Sequence, residues 1–224
     1  MTDRRPGSRF SDAWLCWGGL GLTALLLLFS FPPLGHPFVA FFALIPAALA
    51  AAAAPDWRLW RRAAYGTSWL LWVVLLAWLR HIYPPLGWLG LVLLTAYCAL
   101  YPFLWLVALR WIFPACRDAG APARLLATLG LAGAWGLLEW LRTIAFTGFG
   151  WLPLSASQQG NGVLLTLCAW VGPTGLSIGL VLINLGLASW IIRLRALRAS
   201  ADSLEPLTPT SWFRRLTPAL YLGL

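Results

Sequence analysis

Six long apolar runs, each closed off by arginine, proline or glycine, recur along the 224 residues and constrain the fold more than any other feature of the sequence. They cover approximately residues 13–31, 38–54, 63–79, 88–109, 124–141 and 173–192, and each approaches the roughly 20 helical residues that cross a hydrocarbon core about 30 Å thick. Inside lipid a backbone must satisfy its own hydrogen bonds, which only helices and closed barrels do. The ten-residue alternating pattern of a transmembrane barrel is missing. The chain therefore reads as an all-α polytopic membrane protein. With 60% hydrophobic and 10% charged residues, nothing is left over for a soluble domain.

The breaks give the domain organisation. Residues 1–12 form a polar N-terminus, 13–192 a bundle of six transmembrane helices, 193–215 a polar loop, and 216–224 the start of a seventh helix. That last stretch is too short to span, so a truncated seventh helix or a surface-lying tail is expected. The N-terminal arginines and first apolar run are similar to a signal peptide, but "FPPLGHP" follows with no small-x-small cleavage site, so the run is expected to stay as a first span.

All 16 basic residues are arginine. A net charge of +9 raises the question of nucleic acid, yet the arginines sit in short clusters at the ends of apolar runs, as orientation in a membrane requires, and no nucleic-acid partner is expected. Placing the N-terminus in the cytoplasm puts Arg4, Arg5, Arg9, Arg58, Arg61, Arg62, Arg110, Arg117, Arg124, Arg193, Arg195, Arg198, Arg214 and Arg215 inside. Only Arg80 and Arg142 then lie outside, the asymmetry of the positive-inside rule.

Candidate chemistry is sparse. Cys16, Cys98, Cys116 and Cys168 show neither CxxC spacing nor a neighbouring histidine pair, so neither disulfide nor metal site is expected, and no cofactor. His36 and His81 stand beside prolines in outer loops, with nothing to orient a base toward a thiol. Ser155 and Ser157 belong to no Ser-His-acid set. The sequence holds one acid within a span, Glu139, and Arg142 follows it by one helical turn on the same face. A charge at membrane depth costs about 2.5–3.5 kcal/mol on insertion scales, so the two are expected to compensate each other as an ion pair. Such a pair either closes the helix end or positions a lipid headgroup or the loop beyond.

That loop, over 143–162, contains "TGFGWLPLSASQ". Phe146, Gly148, Phe149, Trp151 and Gln158 are its candidate lipid-proximal residues, in either an interfacial aromatic belt or a re-entrant segment guarding a cavity. Gly175 and Gly179, with Ala132 and Gly136, have the small-xxx-small spacing of close helix packing. Pro173 fits the first turn of the last span.

Three segments, "FSFPPLGHPFVAFFALIPAALA", "EWLRTIAFTGFGWLPLSASQ" and "WVGPTGLSIGLVLINLGLA", resemble the N-terminal membrane part of bacterial apolipoprotein N-acyltransferase, the second being the most specific. Gly150 stands where that family commonly has proline, and Pro173 interrupts a Gly-Val-x-Gly pattern. The resemblance implies a multi-pass protein of the bacterial inner membrane, a bundle of seven N-terminal helices, an outer nitrilase-like domain and one closing helix. It also implies acyl transfer from a phospholipid to a lipoprotein N-terminus through a Glu-Lys-Cys set in the nitrilase-like domain. The partners implied are membrane phospholipid, a lipoprotein substrate and a separate nitrilase-like domain.

With no lysine in the sequence that set cannot be assembled here, so no catalytic residue is expected and the chain alone is expected to be inactive. A thiol among apolar side chains is in any case a poor nucleophile. Two further functions compete: a non-catalytic lipid-binding or scaffold protein, and a small transporter, whose inverted repeats and several buried ionisable residues are not visible. The oligomeric state is not fixed by the sequence.

Overall fold

The computed structural model describes residues 7–53, 55–82, 86–116, 119–146 and 148–201, and all regular structure among them is helical. The polar stretch 202–215 and the expected seventh-helix start at 216–224 lie outside the described residues. Helix α1 spans Gly7–Ser30, α2 Ile45–Ala52, α3 Trp57–Leu75, α4 Leu86–Ala115, α5 Ala121–Ile144 and α6 Gly162–Ala201, with short 3-10 turns at Pro37–Phe41, Ala77–His81 and Leu154–Gln158. Four stretches are long and apolar enough to cross a membrane: Asp12–Ser30, Leu86–Ala115, Ala121–Ile144 and Gly162–Ala196.

The other two expected spans take different forms. Where 38–54 was read as one span, a 3-10 turn and an eight-residue α2 meet at a break around Phe42–Leu44. Pro46 stands in the first turn of α2, where its missing N–H costs nothing. The broken backbone is satisfied by side chains of other helices, as non-helical backbone in lipid must be. Thr23 Oγ1 of α1 accepts from Ala47 N at 3.0 Å, and Asn184 Oδ1 of α6 accepts from Leu44 N at 2.8 Å. Asn184 Nδ2 donates in turn to the carbonyls of Ala40 and Leu180, both at 2.8 Å. Helix α2 is buried rather than lipid-facing: Ala47, Ala48, Ala50 and Ala51 are all closed off. A Cβ at Gly19 would come 2.7 Å from that of Ala50, so only glycine lets α1 pack this closely.

Helix α3 starts earlier than the apolar run at 63–79 suggests, because Asp56 caps it by accepting from Arg58 N and Leu59 N. Its first two turns therefore carry Arg58, Arg61 and Arg62. Helices α3 and α4 run antiparallel and are joined by indole and phenol donors. Trp60 donates to the Leu106 carbonyl at 3.0 Å, Tyr65 to that of Ala96 at 3.3 Å, and Trp69 to Thr95 Oγ1 at 3.0 Å. Trp105 continues the pattern from α4 to the Leu131 carbonyl of α5. Lipid offers helices no hydrophobic reason to associate, so such hydrogen bonds and close contacts do that work.

Small-residue packing is realised at one of the two expected places. Gly136 faces Ile178 and Thr174 of α6 so closely that a Cβ would lie 2.7 Å from Ile178. At Gly175 a Cβ would meet Val171 of the preceding turn, and at Gly179 it would meet nothing within 4 Å, so this GxxxG pair makes no helix contact among the described residues. Helix α6 begins eleven residues before the expected span and breaks at Gly172 (φ 71°, ψ 170°), from which Pro173 starts a new first turn, as its fixed φ favours. It also continues to Ala201, into residues expected to belong to a loop.

Candidate functional site

Glu139 and Arg142 both line a partly open cavity of about 60 Å³ between α1, α3, α4 and α5. Its walls are almost wholly apolar, formed by Leu27, Phe31, Trp72, Trp105 and Trp135 among others, with Tyr101 contributing a phenol. Pro102, inside α4, also lines it. Trp105 and Trp135 meet edge to face, with ring centroids 4.9 Å apart.

The expected ion pair is not formed. Glu139 Oε1 accepts from Trp135 Nε1 at 2.8 Å and from Leu154 N at 2.6 Å, while its Oε2 is buried without a hydrogen-bond partner. Arg142, only 3% exposed, lays its guanidinium 4.7 Å from the centroid of the Trp72 ring, and its Nη1 is likewise unpartnered. The charges share a helix face, as the spacing predicts. The indole of Trp72 and the Leu154 amide, both remote in sequence, compete for them and win. A carboxylate gains more from two N–H donors in a dry site than from a guanidinium it does not touch, and a desolvated cation over an indole is stabilised by about 2 kcal/mol.

This arrangement has a consequence for mutants. Glu139→Gln retains an oxygen for Trp135 and Leu154, so it is expected to cost under about 1 kcal/mol, whereas Glu139→Ala strands both donors and costs about 2–3 kcal/mol. Adding Arg142→Gln to Glu139→Gln should add its own loss with little coupling, under about 0.5 kcal/mol. Melting of wild type, Glu139→Gln, Glu139→Ala, Arg142→Gln and the double mutant in detergent checks this, and a strong recovery in the double mutant would restore the ion pair.

The loop after α5 doubles back over the helix end. Phe149 N donates to the Arg142 carbonyl at 2.8 Å and Gly148 N to that of Ala145 at 2.9 Å. Gly148 adopts φ +72°, and a Cβ there would stand 2.3 Å from the Thr143 carbonyl oxygen. Phe146 and Leu152 also have positive φ, at 55° and 49°. For non-glycine residues that is strained, and such strain persists only where surroundings enforce it.

The loop candidates divide into three groups. Phe146, Gly148 and Phe149 border a second groove against α4, with Gly90 and Tyr97 opposite. Phe146 is 92% exposed but sets its ring edge to face with Tyr97. Trp151 is exposed, stacked at 25° to Phe149 and tilted toward Trp78. Gln158 is fully buried and ties the loop to the first hairpin, its Nε2 donating to the Pro37 carbonyl and to Ser157 Oγ, each at 2.9 Å. Ser155 N donates to Ser177 Oγ of α6 at 3.0 Å. Residues 154–158 are thus a rigid 3-10 turn, and only 145–153 present aromatic rings outward.

Trp72, Tyr101, Trp135 and Asn184 were not singled out by sequence. Asn184 left a signal, as an amide in an otherwise apolar run; the aromatic residues left none among 16 tryptophans. No group of three or more His, Cys, Asp or Glu side chains suited to a metal occurs among the described residues. Cys98 is sealed inside the bundle and Cys168 is half-buried on α6. The geometry joins an almost wholly apolar wall to one carboxylate and one guanidinium.

Residues 23–186 match the model of the apolipoprotein N-acyltransferase N-terminal domain. The chain belongs to that family. It is 35% identical to an apolipoprotein N-acyltransferase of Nitrosomonas europaea over 133 residues, which cover 56% of this chain and 24% of that protein. It is 30% identical over 192 residues to the one from Rhodopirellula baltica, covering 82% of this chain and 32% of that protein. A third, from Bordetella bronchiseptica, is 44% identical over 72 residues, 30% of this chain and 13% of that protein. The chain thus spans about a third or less of the relatives it matches, and its match is to the N-terminal domain. It is a membrane protein of the family's N-terminal type, as the resemblance implied.

Proposed function

We propose that this chain is the membrane module of an apolipoprotein N-acyltransferase in the bacterial inner membrane, holding phospholipid for acyl transfer to a lipoprotein N-terminus. The observation that carries this reading is the cavity: an apolar space between helices, in a protein of this family, with one guanidinium and one carboxylate at a single end. An acyl chain needs an apolar wall and no hydrogen bonds, while the unpartnered Arg142 Nη1 offers a donor to an ester or phosphate oxygen. The strained loop at 145–153 would meet a nitrilase-like domain that supplies the nucleophile. A non-catalytic lipid-binding role is the second reading, favoured by the absence of a thiol with a base beside it among the described residues.

The same proposal has six crossing elements, the fourteen clustered arginines on the cytoplasmic side and the 143–162 loop outside. It is supported by Arg110, which donates to the Pro55 carbonyl and lies over Trp57, bringing the end of α4 to the start of α3. Cys116, just beyond α4, should then react with an impermeant maleimide only after the cytoplasmic face is opened. Labelling of intact spheroplasts would overturn this orientation.

For the cavity, the purified chain is illuminated with a phosphatidylethanolamine carrying a diazirine in its acyl chain. Adducts are expected at cavity residues, with no hydroxylamine-sensitive acyl-protein. Leu138→Trp, which narrows the space, should cut those adducts about tenfold. Adducts confined to the outer surface in both proteins would refute the lipid site.

A further inference from the structure

At the opposite end of α3 from the Trp72 and Arg142 contact, Arg58, Arg61, Arg62, Tyr65 and Gly66 share one helix face, since steps of three and four residues return to the same side. With Phe103 of α4 they line an open groove of about 670 Å³. Tyr65 and Phe103 meet edge to face at 5.7 Å and form one wall. Trp17 of α1 approaches from another side, its ring 3.1 Å from where a Gly66 Cβ would be. The missing side chain of Gly66 admits the Trp17 ring, which closes the helix surface at that point.

The three guanidinium groups have no hydrogen bond or ion pair among the described residues, and all three are exposed. Asp56, the nearest acid in sequence, is engaged in capping α3 through Arg58 N and Leu59 N. The groove therefore joins concentrated positive charge to an aromatic wall. Beyond it the surface becomes purely apolar, with Leu70 following Gly66 by one turn and Leu100 preceding Phe103 by one turn, both exposed.

We infer that this groove is a binding site for an anionic glycerophospholipid of the phosphatidylglycerol class, separate from the Glu139 and Arg142 cavity. The phosphodiester sits among Arg58, Arg61 and Arg62, whose planar forks match phosphate oxygens. One acyl chain lies over the Tyr65 and Phe103 rings and continues along Leu70. Basic pockets between helices at a membrane face recognise anionic headgroups on these terms. A soluble polyanion would find charge but no use for the apolar floor, and a zwitterionic lipid would bring its own cation against the arginines. The site lies at the far end of the bundle from the acyl-binding cavity and does not depend on that assignment. It would anchor the arginine-bearing end of α3 at the anionic surface.

The test is thermal melting of the purified chain in a neutral detergent, titrated with phosphatidylglycerol, with phosphatidylcholine, and with the water-soluble headgroup glycerophosphoglycerol. Phosphatidylglycerol is expected to raise the melting temperature by about 5 °C at saturation. Its apparent affinity should be about tenfold above that of phosphatidylcholine, and the free headgroup should do nothing. In Arg58→Gln/Arg61→Gln/Arg62→Gln the preference should vanish. Leu70→Gln, which keeps the charges and places an amide on the exposed acyl path, should weaken phosphatidylglycerol about threefold. If the triple variant does not fold, Arg58→Gln and Arg62→Gln are read singly, each expected to weaken binding at least threefold. Unchanged preference in the folded arginine variants overturns the site. Equal stabilisation by the free headgroup reduces it to a plain anion site and also overturns the proposal.

Discussion

Asn184→Leu is expected to lower the stability of the bundle by about 2–3 kcal/mol, or roughly 5–10 °C in a detergent melt. Leucine fills nearly the same volume, so packing alone predicts little change. The loss comes from the break between the Pro37–Phe41 turn and α2. There Leu44 N donates to Asn184 Oδ1, and Asn184 Nδ2 donates to the Ala40 carbonyl. Asn184 is completely buried, so no water replaces it. A backbone group left bare in such a site carries its full desolvation cost. Thr23→Val, which removes only the acceptor for Ala47 N, should cost less, about 1 kcal/mol. Equal melting of wild type and Asn184→Leu would mean that the broken hairpin is held by packing instead.

Gly148→Ala is expected to do comparable damage by another route, about 3 kcal/mol, and to release the aromatic loop from the end of α5. The left-handed conformation alone costs an alanine about 1–2 kcal/mol. The added Cβ would also lie 2.3 Å from the Thr143 carbonyl oxygen, which is backbone in the last turn of α5 and has nowhere to move. Gly35→Ala is the control: its φ is +61°, yet a Cβ there meets nothing within 4 Å, so only the conformational part is lost. Stability and the rate of chymotryptic cleavage after Phe149 and Trp151 report the two effects. Similar losses at Gly35 and Gly148 would show that the loop yields without strain.

The site was partly legible in sequence. Glu139 drew attention because an acid in an apolar run needs a partner, and the structure does place it and Arg142 on one cavity. The partner was wrong. Helical periodicity shows which residues share a face of α5, and says nothing of Trp72 on α3 or the Leu154 amide fifteen residues on, which are the groups that reach them. The place of Gln158 in the loop suggests a lipid-proximal role, whereas its side chain fastens that loop to a carbonyl 121 residues away.

By itself the sequence determined the helical class, the membrane setting and the family, because each depends on composition, run length or local motif. The tertiary structure decided how residues 37–52 are broken, which glycines bring helices together and what the buried charges touch. The physical reason is common to all three. An apolar run satisfies its own backbone as a helix and so announces itself, whereas a break is allowed only where Asn184 and Thr23 arrive from other helices. Likewise Gly136 is needed because Ile178 lies opposite, while Gly179, with the same spacing rule behind it, faces open space.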